Sequence, residues 1–259
     1  MIFIIKQHIK KFYDFTKKII DEVHKDDLIS AANDMTYKLF FSVFPFLIFL
    51  MSVAGFLKLD IVKVTAQISS ALPYSLVSPV QQIIHEITQI RSANILSFSF
   101  IISIYGASAG FKTAMRGINK AYGQRDLRKF YIKIPVSIIL VLIFTIILIV
   151  SFTLIIFDDN FFQYIASIII IFFSVILINK LALYKNKKVS LKSLIPGTLF
   201  TVFSWFIISW LFNIYIDNFS NYSAVYGSIA AVIIFMLWLN IMCIVLLLGS
   251  EINASILYP

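Results

Sequence analysis

Cysteine, histidine and charge are all scarce in this 259-residue chain. Cys243 is the single cysteine, which excludes an internal disulfide and a cysteine-ligated zinc site. The three histidines, His8, His24 and His85, stand apart, so neither an H-E-x-x-H nor an H-x-H-x-D-H cluster exists to chelate a catalytic metal. No Walker phosphate loop occurs either. Charged residues make up 14% of the chain; soluble domains have about 25%, so the polar surface needed to face water all round is missing. An ordinary cytosolic enzyme, a disordered chain and a disulfide scaffold are excluded together. What the chain has instead is apolar bulk: 60% hydrophobic residues, 26 phenylalanines and a formal net charge of +9.

Crossing a bilayer takes about 20 apolar residues of helix, because the hydrocarbon is about 30 Å thick and each residue rises about 1.5 Å. Six stretches meet that length: residues 36–57, 95–114, 134–157, 161–183, 194–216 and 226–249. Several are rich in Ile, Val and Phe, which favour strands elsewhere. Runs this long without two-residue alternation do not build a membrane barrel. The expected class is therefore an all-α polytopic membrane protein. Residues 1–35 form a cytoplasmic N-terminal segment and residues 36–259 the six-span domain.

The opening run Ile2 to Ile5 is too short for the apolar region of a signal peptide. Ile5, Ile9, Phe12, Ile19 and Val23 recur at helical spacing, with Lys6, Lys10, Lys11, Lys17 and Lys18 on other faces. Such an amphipathic helix either lies in the head-group plane on anionic lipid or packs on the ends of the bundle. Lysine and arginine then set the orientation. The N-terminal segment and the second loop carry six each and the fourth loop four, whereas the first loop carries three and the other connections none. With the N-terminus inside, sixteen are cytoplasmic against three external, which places both termini in the cytoplasm. The long first external loop, 58–94, reads as a helical hairpin. Ile61, Val64, Ile68 and Leu72 precede a break at Pro73, and Ser78-Pro79 starts a second helix with Ile83, Ile84, Ile87 and Ile90 on its apolar face.

Gly106 to Gly110 matches G-x-S-x-G, but inside an apolar helix and without a nearby histidine it cannot act as a nucleophile elbow. Ser99, Ser103, Gly106, Gly110, Ala114 and Gly117 form a small-residue stripe, which lets helices approach closely in lipid; this predicts a central position for span two. The basic second loop lacks an aromatic stacking platform, so no nucleic-acid partner is expected.

Polar residues inside or at the rims of spans are costly in lipid and become the site candidates. Asp34 and Lys38, four apart, share a helix face with Tyr37 nearby. Lys112, Arg116 and Asn119 close span two, and Asn179 and Lys180 end span four. Asn213 and Asn240 lie within spans five and six, and Glu251 and Asn253 follow span six. The bland reading of a rim lysine is snorkelling to the head groups, and of a single asparagine, interhelical hydrogen bonding.

Ala31-Ala32, Tyr37 and Ser42-Val43-Phe44-Pro45 resemble the opening of the YihY/BrkB family of bacterial inner-membrane proteins. Phe111 to Tyr122 resembles its second signature, Pro196-Gly197 the start of its fifth span, and Tyr226-Gly227-Ser228 with Trp238, Gly249, Glu251 and Asn253 its ending. The blocks run in order from residue 31 to 254. Two places depart: Asn33-Asp34-Met35 stands where the family is usually apolar, and Asn240 where tyrosine is common. The resemblance implies a six-helix inner-membrane protein from a family linked by name to serum resistance and once labelled a ribonuclease. That label finds no metal cluster here, so no enzyme activity and no cofactor are expected.

The leading expectation is a transporter or flippase-like protein for an anionic lipid or small anion. The alternative is a non-catalytic scaffold organising envelope proteins. The expected partner is the bilayer, through anionic head groups on the cytoplasmic face. Asp34, Tyr37, Lys38, Lys112, Arg116, Asn119, Glu251 and Asn253 are expected to line one cytoplasmic vestibule, with an axial lysine paired to Asp34 or Glu251 or holding an anion.

Overall fold

The computed structural model describes residues 2–56, 93–157, 161–184, 189–218 and 228–258. Among these, every regular element is helical: α1 (Ile2–Lys25), α2 (Leu28–Phe56), α3 (Ala93–Ala121), α4 (Phe130–Phe157), α5 (Phe161–Ala182), α6 (Ile195–Asn218) and α7 (Ser228–Leu257), with one 3₁₀ turn at Lys192–Leu194. The expected external hairpin falls almost wholly within residues 57–92, outside the described residues.

Three stretches are long and apolar enough to cross a membrane by length and composition: Ile165–Ala182, Lys192–Tyr215 and Val232–Leu257. The three earlier expected spans lie in α2, α3 and α4, helices of 29, 29 and 28 residues. At about 1.5 Å per residue each extends roughly 40 Å. α2 starts at Leu28, so the helix carrying the first expected span reaches back past residue 36.

The packing is inverted relative to a water-soluble protein. Phe98, Ile101, Tyr105, Phe173, Phe203 and Trp210 are exposed, while Asn119, Asn179, Asn253, Ser250 and Thr201 are buried. Lipid tails are as apolar as a leucine side chain, so close backbone approach and interhelical hydrogen bonds hold such helices together. The stripe on α3 has this role. A Cβ on Gly106 would come within 2.8 Å of the Ser42 Cβ, and one on Gly110 within 2.6 Å of the Leu39 side chain, both on α2. Gly117 faces Leu247 of α7 in the same way. The tightest crossing lies elsewhere. Gly197 of α6 and Gly249 of α7 face each other so closely that a Cβ on either would overlap backbone or Thr201.

Helix ends gather at one pole. The Lys120 ammonium donates to the Asp26 carbonyl, and the Lys18 ammonium to the Tyr258 carbonyl at 2.6 Å. α1 therefore sits on this pole, with Val23 packed against the core. Of the two placements open for the N-terminal helix, its last turns take the one against the bundle. Asp27, in the left-handed region at φ 50°, turns the chain from α1 into α2; aspartate tolerates that region better than most residues. At the end of α3, Gly123 takes φ +64°, and Gln124 N–H reaches back to the Asn119 carbonyl at 2.9 Å, the bond that closes a Schellman cap.

Candidate functional site

Asp34, on the second turn of α2, sits where α2 meets α3. Its Oδ2 accepts from Lys38 Nζ at 2.6 Å, from the Thr113 hydroxyl at 3.0 Å and from Arg116 Nη2 at 3.1 Å. Lys38 and Arg116 each also donate to Thr113 Oγ1, at 2.9 and 3.1 Å. One carboxylate thus holds two cations around a threonine hydroxyl. The cluster is not sealed: the Arg116 side chain is 61% exposed and that of Asp34 42%. Tyr37 and Tyr105 are exposed as well, and the Lys112 ammonium lies over the Tyr105 ring at 5.8 Å. Among the described residues, Lys38, Lys112 and Arg116 thus gather around the one acid Asp34, with aromatic faces beside them.

Asn240 of α7 joins the same region. Its amide donates to Asn33 Oδ1 at 2.8 Å and to Thr36 Oγ1 at 3.1 Å. The two places where the sequence departs from the family's pattern are therefore in contact with each other, across α2 and α7.

The remaining residues expected in a single vestibule, Glu251, Asn119 and Asn253, are divided among three other places. Glu251 does not pair with a basic residue of α2 or α3 among the described residues. It is 2% exposed and faces Asp26, Glu22 and Lys25 at the end of α1. Asn119 and Asn253, expected as hydrogen-bonding walls, are fully buried helix caps instead. Asn119 Nδ2 donates to the Ala182 carbonyl at 2.8 Å and its Oδ1 accepts from Tyr184 N–H at 2.8 Å, closing the end of α5 from α3. Asn253 Oδ1 accepts from Gly197 N–H at 2.6 Å and its Nδ2 donates to the Leu194 carbonyl at 3.1 Å, opening α6 from α7. The reason is common to both: helix ends leave backbone groups without intrahelical partners, and an asparagine supplies a donor and an acceptor together.

Asn179 Oδ1 accepts from the Ser250 hydroxyl at 2.7 Å, linking α5 to α7. Lys180 donates to the Val189 carbonyl. Asn213 is exposed on α6. Three participants were not singled out from the sequence: Thr113, Asp26 and Arg128. Arg128 donates to the Leu181 and Leu183 carbonyls at 3.0 and 2.7 Å, with the Asp126 carboxylate 3.9 Å from its Nε. Thr113 had a local signal, since it lies three residues before Arg116 and so on the same face; the other two depend on contacts distant in sequence. Among the described residues, no three His, Cys, Asp or Glu side chains converge to hold a metal.

Comparison with known proteins places these observations. The family described as virulence factor BrkB matches residues 19–258. A Bacillus subtilis (strain 168) protein, YfkH, is 32% identical over 262 residues, covering 93% of this chain and 94% of its own; its name calls it ribonuclease-like. A UPF0761 membrane protein of Pseudoalteromonas translucida is 38% identical over 74 residues, 29% of this chain and 25% of its own. One from Xanthomonas oryzae is 34% identical over 67 residues, 26% of this chain and 16% of its own. No solved structure matches. With a family match over residues 19–258 and a relative aligned over more than nine-tenths of both chains, the chain belongs to the BrkB family of membrane proteins.

Proposed function

We infer that the protein spans the bacterial inner membrane six times, through α2 to α7, with both termini cytoplasmic, and that it binds an anionic phospholipid head group on the inner leaflet and moves it between leaflets. The observation that carries this reading is the Asp34–Lys38–Thr113–Arg116 cluster. Arginine and lysine supply the charge-assisted donors that a phosphate takes up. Asp34 keeps them pre-positioned while the site is empty, and the exposed faces of Tyr37 and Tyr105 suit the boundary between head group and acyl chain. The basic excess of the second and fourth loops supports the inside orientation.

A reporter cysteine at Lys187, in a chain with Cys243 replaced by alanine, is expected to react with an impermeant maleimide only after cells are permeabilised. Labelling in intact cells would reverse the topology. The lipid activity is tested in proteoliposomes that carry a fluorescent phosphatidylglycerol. Dithionite is expected to bleach more than the outer-leaflet share of the probe, and the Lys38→Gln/Arg116→Gln pair to remove most of the excess. Bleaching that stops at the outer-leaflet share in the native protein would sink the transport reading.

A second reading, a non-catalytic scaffold for envelope proteins, is favoured by one observation. Asn119, Asn179 and Asn253 lock the helix ends at one pole to each other, which suits a rigid platform. Lipid bound without lipid moved would favour it.

A further inference from the structure

Glu251 and Asp26 come from opposite ends of the chain and line one small cavity of about 10 Å³, with Leu28, Ala31, Gly117 and Leu247 as its other walls. That volume holds about one water. The two carboxyls border this one small space together. Glu251 is 2% exposed, and no amide, hydroxyl or cationic donor among the described residues hydrogen-bonds to its carboxylate. Four of the six walls are apolar. Two adjacent carboxylates in such surroundings do not both ionise; one proton is shared, and it belongs to the pair rather than to either residue.

The proton has a route. Asp26 also lines a wider cleft of about 240 Å³ formed with Glu22, Lys25, Lys120, Ala121, Gly123, Gln124 and Arg125. Asp26 therefore stands between that cleft and the small cavity holding Glu251. Burial pushes the Asp26 carboxyl above the ordinary carboxylate range, with Lys120 opposing and Glu22 reinforcing.

The pair also sits at a joint. Asp26 follows the last residue of α1, Asp27 makes the left-handed turn, and Glu251 is on α7. We propose that Asp26 and Glu251 form a proton-binding site whose occupancy holds α1 docked on the bundle, and that loss of the shared proton releases α1. Among the described residues, the other charged and titratable groups facing the joint are Glu22 and Lys25 on α1, Lys120 on α3, Tyr122 and Arg125 just after it, and Tyr258 after α7. α2 contributes apolar Leu28 and Ala31 to the cavity. Lys25 is engaged by Glu22 at 2.9 Å, and Lys120 spends its hydrogen bond on the Asp26 carbonyl. The sign follows from linkage. The docked form binds a proton that the undocked form, with carboxyls near pH 4, gives up, so docking is strongest in acid. Undocking then grows by about tenfold per pH unit above that range, until the docked pair itself has lost its proton.

Hydrogen exchange of residues 13–25, followed by mass spectrometry on the full chain in nanodiscs, reads this equilibrium once the intrinsic pH dependence of exchange is divided out. Native protein is expected to lose α1 protection as pH rises from 5 to 8. Glu251→Gln and Asp26→Asn, which keep size and remove the charge, are expected to stay protected throughout, and His24→Gln to behave like the native chain. Protection of α1 that is independent of pH in the native protein overturns the proposal. So does a pH dependence that survives in both neutral variants or disappears in His24→Gln, and so does an α1 that exchanges quickly at every pH in a Glu251→Gln protein whose other helices keep native protection. If Glu251→Gln fails to fold, the native profile and Asp26→Asn decide the matter alone.

Discussion

Alanine at Gly197 or Gly249 is expected to abolish the native fold, the largest single-residue effect in the molecule. A Cβ on Gly249 would lie 2.7 Å from the Gly197 carbonyl oxygen and overlap the Thr201 hydroxyl, and one on Gly197 would overlap the Gly249 carbonyl oxygen. Overpacking a core with side-chain neighbours costs about 1–3 kcal/mol, because those neighbours can change rotamer. Here the obstacle is backbone on both sides, so α6 and α7 must separate. Separation also breaks the Asn253 cap on Gly197 and the 3.0 Å bond from Trp205 Nε1 to the Met242 carbonyl. With a total stability of about 5–15 kcal/mol, little would remain. Tryptophan fluorescence during thermal unfolding in detergent checks this, since Trp205 and Trp238 both bridge α6 and α7. Gly123→Ala is the internal control: nothing lies within 4 Å of its would-be Cβ, and only its left-handed φ is strained, worth about 1–2 kcal/mol. A Gly249→Ala protein that melts with the native one would show that this crossing is looser than described.

Asn119→Ala is the second large effect. The substitution removes the partners of two backbone groups at the end of α5, the Ala182 carbonyl and the Tyr184 N–H. Asn119 is wholly buried, so water cannot replace it without a cavity opening. Losing these two bonds, one of them from the buried Ala182 carbonyl, costs about 1–3 kcal/mol each, giving roughly 2–6 kcal/mol in all. In a chain of this size that corresponds to a fall in Tm of about 5–20 °C. Asn119→Asp keeps the acceptor for Tyr184 and loses the donor for Ala182, so an intermediate or worse result is expected, the buried charge deciding which. An unchanged Tm for Asn119→Ala would show that the cap contributes nothing.

The same asparagine marks the limit of what order along the chain specifies. As a polar residue near a span end, Asn119 was expected to face a vestibule with Glu251 and Asn253. Each of the three instead answers a need created elsewhere in the chain. Asn119 serves the end of α5, 63 residues on. Asn253 serves the start of α6, 56 residues back. Glu251 meets Asp26 from the other end of the sequence. Whether a buried polar residue faces a ligand or satisfies a backbone group depends on what lies opposite, and spacing along one helix carries no information about that.

The sequence alone determined what periodicity and composition control. Apolar runs too long for strands specify helices, because in lipid the backbone must satisfy itself within each segment. Four-residue spacing puts Lys38 beside Asp34, found at 2.6 Å. Small residues at three- and four-residue intervals on α3 specify a close approach, since a missing side chain is legible without knowing the neighbour. Only the tertiary structure decided which helix fills that space, that Arg116 turns to Asp34, that Gly197 meets Gly249, and that two carboxyls about 225 residues apart share one cavity. These are choices among many energetically similar pairings in a uniformly apolar medium. They are settled by the summed packing and hydrogen bonding of the whole bundle, which no single segment of the chain contains.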